Sequence, residues 1–402
     1  MQSIFAKPII DTDTHVTEPP DLWTARMPRK YGDVVPHVKL HPKRELEYWY
    51  IGEKPVFSAW GSANYGYPGG PLSIPPRRNE SHPGAWDVHE RLKYMNETGV
   101  WAQVLYPNLG AVVMGMYKHI DDEVKLGMVQ VYNDFMIEFS SAAPERFIPM
   151  AVLPLWDIAA SVREVERAAK IGHKGVLLSG APHEHGWPYL SDRAWDPLWS
   201  AIRAANLPIS FHSGGGDFAD DFFNPARNRV DGVEVNYVRS STLAFLMVCG
   251  HMADLLMSGV PQRFPELRFA AVETGLGHIN FCIESLDYHF KVAEIWKIRP
   301  EFKELPSETF RKQVFVNYWF EQLDDFYIKK IGEDNIMFET DFPHTTCLGG
   351  RGAVAQALTN GLERQPERVQ DKILFANAAK LYNVELPKAA FTLNQGFAEA
   401  AE

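Results

Sequence analysis

Cysteine is scarce in this chain. Cys249, Cys282 and Cys347 are the only three among 402 residues, with no Cys-x-x-Cys pair and one thiol left over, so no disulfide framework organises the fold. We read all three as structural thiols in a reducing compartment. Positive charge is also short: 40 Lys plus Arg against 51 Asp plus Glu give a net charge of -11, which excludes a generic basic nucleic-acid binder. No apolar run reaches the roughly eighteen residues of a membrane span. The opening MQSIFAKPIIDTD has neither the long apolar core nor the cleavage site of a signal peptide. Repeats and low-complexity tracts are missing as well. The expectation is a soluble, cytoplasmic protein acting on a small molecule, without nucleic-acid or membrane partners.

What is present is ample apolar surface, 46% hydrophobic against 23% charged residues, enough for a large core. Eight short apolar runs, at 8–16, 101–107, 147–155, 174–180, 207–214, 267–275, 314–320 and 335–343, alternate with helix-period stretches. Most are continuously apolar rather than alternating, the pattern of parallel strands covered on both faces. The expected fold class is therefore α/β, a (β/α)8 TIM barrel spanning 1–388 as one domain. Residues 17–85, rich in Pro, Gly and aromatics, break the rhythm and read as an ordered insertion or lid after the first strand. Residues 389–402 form a tail. The apolar character of insertion and tail points to a homo-oligomer, with a hetero-oligomer left open.

In such a barrel chemistry sits at the carboxyl ends of the strands. The first strand ends in Asp11, Thr12, Asp13, Thr14 and His15, and alternation puts Asp13 and His15 on one side with Asp11. The fifth ends at His212, followed by Gly214, Gly215 and Gly216, which permit close backbone approach. The sixth ends at Glu273, and the eighth at Asp341 with His344 just beyond. Any one of these has a bland reading as a cap or turn residue. Four polar strand ends together favour a divalent metal on Asp13, His15, His212 and Asp341, a set hard enough for Zn, Mn or Fe. Asp341 then serves as general base beside a bound water, and Glu273 is a second proton carrier. With Glu18 turned inward, Glu18 and Glu273 make a second metal feasible. His344, His183 and Arg78 are candidate substrate contacts, the last within a lid that also holds Arg77, Trp60, Tyr65 and Tyr67. His185 lies beside His183. His251, inside an apolar helical stretch, reads as a packed core residue.

The segments IDTDTHVTEPPDLW, FHSGGG, LMSGVPQRFPELRFAAVETGLGHINF and ETDFPH make the chain resemble the amidohydrolase-related branch of the amidohydrolase superfamily. That branch includes aminocarboxymuconate-semialdehyde and resorcylate-type decarboxylases. The resemblance covers most of the chain. It implies a (β/α)8 barrel with one divalent metal on a His-x-His pair, a histidine after the fifth strand and an aspartate after the eighth. Those roles carry to Asp13, His15, His212 and Asp341, with Asp13 in place of the first histidine, a carboxylate replacement also found among resorcylate-type decarboxylases. Several relatives have a catalytic histidine where this chain has Glu273. The fourth strand ends in Ser179 and Gly180, without the lysine that bridges two metals in other branches.

The leading expectation is a metal-dependent hydrolase or non-oxidative decarboxylase of a small carboxylated or cyclic substrate. A dinuclear iron or iron-manganese oxygenase on the same barrel, and a catalytically silent subunit of a complex, are the alternatives.

Overall fold

The computed structural model describes residues 4, 7–69, 72–110, 120–213, 228–230, 232–345, 347 and 353–386. The tail at 389–402 and Gly214 to Gly216 lie outside them. Eight parallel strands close into a barrel: β1 (Ile9–Val16), then after an insertion β5 (Val100–Pro107), β6 (Phe147–Val152), β7 (Gly175–Leu178), β8 (Ile209–His212), β9 (Phe269–Val272), β10 (Val314–Tyr318) and β11 (Ile336–Phe338). Each coincides with one of the eight apolar runs. Their side chains are almost entirely buried, because barrel interior and helical wall cover both faces.

The wall is built from α1 (Val88–Thr98), α2 (Asp122–Ser140), α3 (Ile158–Ile171), α4 (Asp196–Ala205), α5 (Val233–Met257), α6 (Gly277–Val292), α7 (Pro306–Gln313), α8 (Asp325–Ile331) and α9 (Ala353–Thr359). Side-chain caps start several of them. Asp87 accepts from the His89 and Glu90 amides, Asp157 from Ala160 and Asp324 from Phe326 and Tyr327, satisfying amides that have no partner in the first turn. Left-handed Gly99 and Gly172 end α1 and α3.

Helix α5 meets the length and composition of a membrane span, with mean hydropathy 1.4 in its most apolar window. It is the wall helix linking β8 to β9, and its buried side carries Asn236, Ser240 and His251 beside Val248, Met252 and Leu255. His251 is 4% exposed and fills the space a Cβ on Gly180 would take, so it is the packed helix residue expected.

The insertion contains a three-stranded antiparallel sheet, β2 (His37–Leu40), β3 (Glu47–Ile51) and β4 (Lys54–Ser58). Trp23, Trp49 and Trp60 are fully buried within it, which explains the aromatic density. It is tied to the barrel mouth by Thr17 N–H to the Ala85 carbonyl (2.8 Å), Tyr65 N–H to the Pro343 carbonyl (3.1 Å) and Thr345 Oγ1 to Asn64 Oδ1 (3.1 Å).

Candidate metal centre

The ends of β1, β8 and β11 bring Asp13, His15, His212, Asp341 and His344 together. Asp13, His15 and His212 place one ligand atom each within 4.8 Å of one another, and so do His15, Asp341 and His344. Both groups share His15. His15 Nε2 lies 3.4 Å from Asp13 Oδ1, 3.4 Å from Asp341 Oδ1 and 3.2 Å from His212 Nε2. Its Nδ1 donates to the Pro107 carbonyl at 3.1 Å, which turns Nε2 toward Asp13 and Asp341.

His212 also turns Nε2 inward, 3.4 Å from Asp13 Oδ1, with Nδ1 3.5 Å from Glu273 Oε2. Tyr106 lies edge-on to His212, its hydroxyl bonded to Ser210 at 2.8 Å. His344 stacks on His15, its Nδ1 2.8 Å from Asp341 Oδ1 and its Nε2 2.6 Å from the Asn108 amide. His344 therefore orients Asp341. Arg91, fully buried, donates to the carbonyls of Gly84 (2.6 Å) and His15 and to Gln103 (3.1 Å), holding the β1 end in place.

Electrostatics agree with a cation site. Burial pushes Asp13 up, but the imidazoles of His212 and His15 outweigh it and hold the carboxylate below its ordinary range. Asp341 is likewise held down by His344 and His15 against the effect of burial. Burial would lower His15, yet Asp13 and Asp341 drive it up to about 10. Both carboxylate oxygens of Asp13 are buried without an aligned hydrogen-bond donor among the described residues. A carboxylate so placed is costly without a cation, and the N/O donor set fits a divalent ion.

Glu273 accepts from Ser213 Oγ, and burial with the negative charges of Asp341 and Asp13 pushes it well above the carboxylate range. Glu273 and Asp341 both have left-handed backbones, φ 56° and 59°, as sites under functional constraint often do.

The remaining candidates lie apart from this cluster. Glu18 is fully buried and pushed up to about 7 by burial, one oxygen accepting from Leu109 N–H at 3.0 Å. Among the described residues neither Glu18 nor Glu273 joins a three-ligand group. Asp11 does not face the cluster as alternation suggests. Pairing of β1 with β5 slips between Asp11 and Thr14, and the Asp11 carboxylate accepts instead from Thr340 N–H (2.9 Å) and Oγ1 (2.6 Å). His183 stacks on Tyr189 at 4.5 Å, and His185 leans on Trp187. Arg78 lies over the Trp86 ring in a separate open recess of about 380 Å³ with Glu47, Arg77 and Asn79. Cys347 is buried, its thiol bonded to Thr340.

Three residues around the centre carry no mark in the sequence reading. Glu339 is fully buried, accepting from Glu273 N–H (3.0 Å) and Asn317 Nδ2 (2.5 Å). It stands two residues before Asp341, so the strand alternation that found Asp341 also reaches it. Tyr237, on α5, feels the charges of Asp341 and Glu273. Nothing local marks Tyr237 or Asn108.

Comparison with known proteins places this geometry. A gamma-resorcylate decarboxylase of Polaromonas sp. is 27% identical over 268 residues, 64% of this chain and 77% of that protein. The solved structure of an amidohydrolase from Mycobacterium avium subsp. paratuberculosis superposes with TM-score 0.73 at 24% identity, over 94% of this chain and 99% of its own. A dihydroxybenzoic acid decarboxylase of Polaromonas sp., solved with bound manganese and 2-nitroresorcinol, gives TM-score 0.61 at 19% identity, over 95% and 98%. These two structures share the fold. A family model described as amidohydrolase matches residues 10–384, from the first barrel strand through the last and with every strand-end residue of the cluster inside it, and the chain belongs to that family.

Proposed function

We propose that this protein is a metal-dependent non-oxidative decarboxylase of a small carboxylated substrate, aromatic or otherwise cyclic. The observation that carries the reading is His15 Nε2, 3.4 Å from both Asp13 Oδ1 and Asp341 Oδ1 and 3.2 Å from His212 Nε2, with the Glu273 carboxyl group 3.5 Å from His212 Nδ1. The decarboxylase relative and the manganese in the Polaromonas structure support both reaction and metal class. A divalent ion held there supplies Lewis acidity toward a carboxylate or hydroxyl oxygen of the substrate.

The chain's own groups do the rest. His344 orients Asp341 and is itself held by Asn108. Ser213 donates to Glu273 Oε2, which aims the other carboxyl oxygen. When the carbon-carboxylate bond breaks, its electron pair stays on carbon and takes the proton of the Glu273 carboxyl, and carbon dioxide leaves. The insertion, docked on the loop after β11, borders the mouth and shields the reaction from water.

The oxygenase reading needs Glu18 and Glu273 as ligands of a second ion, and neither stands in a three-ligand group among the described residues. A silent subunit has no use for two buried carboxylates, Asp13 and Asp341, gathered with imidazoles around one atom of His15.

The test is manganese-loaded protein in D2O with a panel of ortho-hydroxylated benzoates, beside esters, lactones and amides. Carbon dioxide release with one deuteron on the vacated carbon is expected. Glu273→Gln should lose about 100-fold or more in kcat while retaining metal. Ester or amide turnover without carbon dioxide would overturn the proposal.

A further inference from the structure

Two of the three thiols are neighbours. Helices α5 and α6, which flank β9 in the wall, pack against one another, and each carries a cysteine at the contact. Cys282 Sγ donates to the Cys249 carbonyl oxygen at 3.5 Å, which sets the two thiols beside each other at the helix contact. Cys282 is buried, whereas Cys249 is half-buried and within reach of a small reagent. Neither takes part in the metal centre, and neither spacing nor motif marks them as a pair in the sequence.

We propose that Cys249 and Cys282 form a dithiol site that small disulfides oxidise to an intrachain disulfide joining α5 to α6. The order of events follows from exposure. Cys249 attacks first, its thiolate sulfur bonding to one sulfur of the reagent while the reagent's own S–S bond breaks and one thiolate leaves. Cys282 then gives up its proton and attacks the Cys249 sulfur, and the second reagent thiolate departs. Two protein thiols are oxidised by two electrons, the small disulfide is reduced to two thiols, and the two protein protons end on those products. The neighbouring Cys282 thiol draws Cys249 down to about 7, more than burial raises it, so the accessible sulfur is also the one that ionises first.

The consequence reaches the mouth of the barrel. Tyr237, the residue of α5 that feels Asp341 and Glu273, lies twelve positions before Cys249, about 18 Å along the helix axis. Helix α6 begins four residues after Glu273. A disulfide would therefore fasten together the two helices that adjoin the Glu273 side of the centre.

The experiment uses the native metal-loaded protein and oxidised glutathione, followed by denaturation, iodoacetamide quench and peptide mapping. The untreated chain should take up three alkyl groups, one for each free cysteine. The treated chain should take up one, at Cys347, and yield a Cys249–Cys282 cross-linked peptide that dithiothreitol removes. Cys282→Ser should stop at a stable mixed disulfide on Cys249, and Cys249→Ser should leave Cys282 unmodified. Three alkylated cysteines after treatment, a glutathionyl group persisting on native Cys249, or a disulfide between two chains would each overturn the proposal. Amide exchange in α5 and α6 should slow at least severalfold on oxidation, and unchanged exchange would remove the claim that the bond fastens them.

Discussion

His15 is the residue on which the candidate site turns. With Asp13 and Asp341 both 3.4 Å from its Nε2, the imidazole is raised to about 10, so without metal it holds a proton at neutral pH. A metal must displace that proton before taking the lone pair. Calorimetric titration of the metal-free protein with Mn2+ in two buffers of different ionisation enthalpy should show about one proton released per ion at pH 7. Affinity should rise with pH, by about tenfold per unit for one proton. A heat independent of buffer would mean His15 is already neutral. The strand-end residues are legible in the sequence because side chains alternate along a strand and chemistry collects at its end, which points to Asp13, His15, His212, Glu273 and Asp341 without a structure. The slip in β1 pairing that turns Asp11 toward Thr340 is not, since it depends on how two strands meet. Asn108 and Tyr237 reach the centre from a loop and a helix whose placement only the folded chain defines.

At the level of elements, the eight barrel strands are readable because burial on both faces leaves uninterrupted apolar runs. The sheet β2-β3-β4 is not: its residues are mostly half-buried or exposed, so they carry no strong periodic signal. Contacts between elements are equally hidden. Gly180, just past β7, is one case: a Cβ there would lie 2.6 Å from the His251 ring on α5. Gly180→Ala should cost about 1–3 kcal/mol by forcing the two elements apart. In a His251→Ala background the cost should be smaller but not gone, since the ring contacts at 2.6 Å are removed and the Cβ contact at 2.8 Å remains, measured by denaturant unfolding. Equal costs in both backgrounds would place the strain elsewhere. Backbone capping gives a smaller figure: Asp157→Ala should cost about 1 kcal/mol, since its side chain satisfies the Ala160 amide at the start of α3.

Across the whole molecule, buried and half-buried histidines set the response to acid. The buried His173 and His251 and the half-buried His82 and His278 are each lowered to about 4, loss of solvation being the first cause in every case. For a group whose folded value lies below its unfolded value of 6.5, the unfolded chain alone takes up the proton between the two. Their contribution is therefore whole above pH 6.5 and falls away as pH drops toward 4. The buried His251 should account for about 3 kcal/mol of this loss. Unfolding of the metal-loaded protein between pH 7 and 5 should show stability declining with acid. His251→Leu should flatten the decline by about 1.4 kcal/mol per pH unit. A slope identical to that of the native chain would mean that His251 is not buried as the neutral imidazole.

The left-handed backbone at Glu273 bears on the stability of the fold. A residue without the short polar side chain of Asn or Asp stores about 1 kcal/mol or more there, and its carboxyl is buried against Asp13 and Asp341. Glycine or asparagine at 273 relieves the backbone, the repulsion and the desolvation together. Glu273→Gly or Glu273→Asn should therefore raise the stability of the metal-free protein, measured by denaturant unfolding.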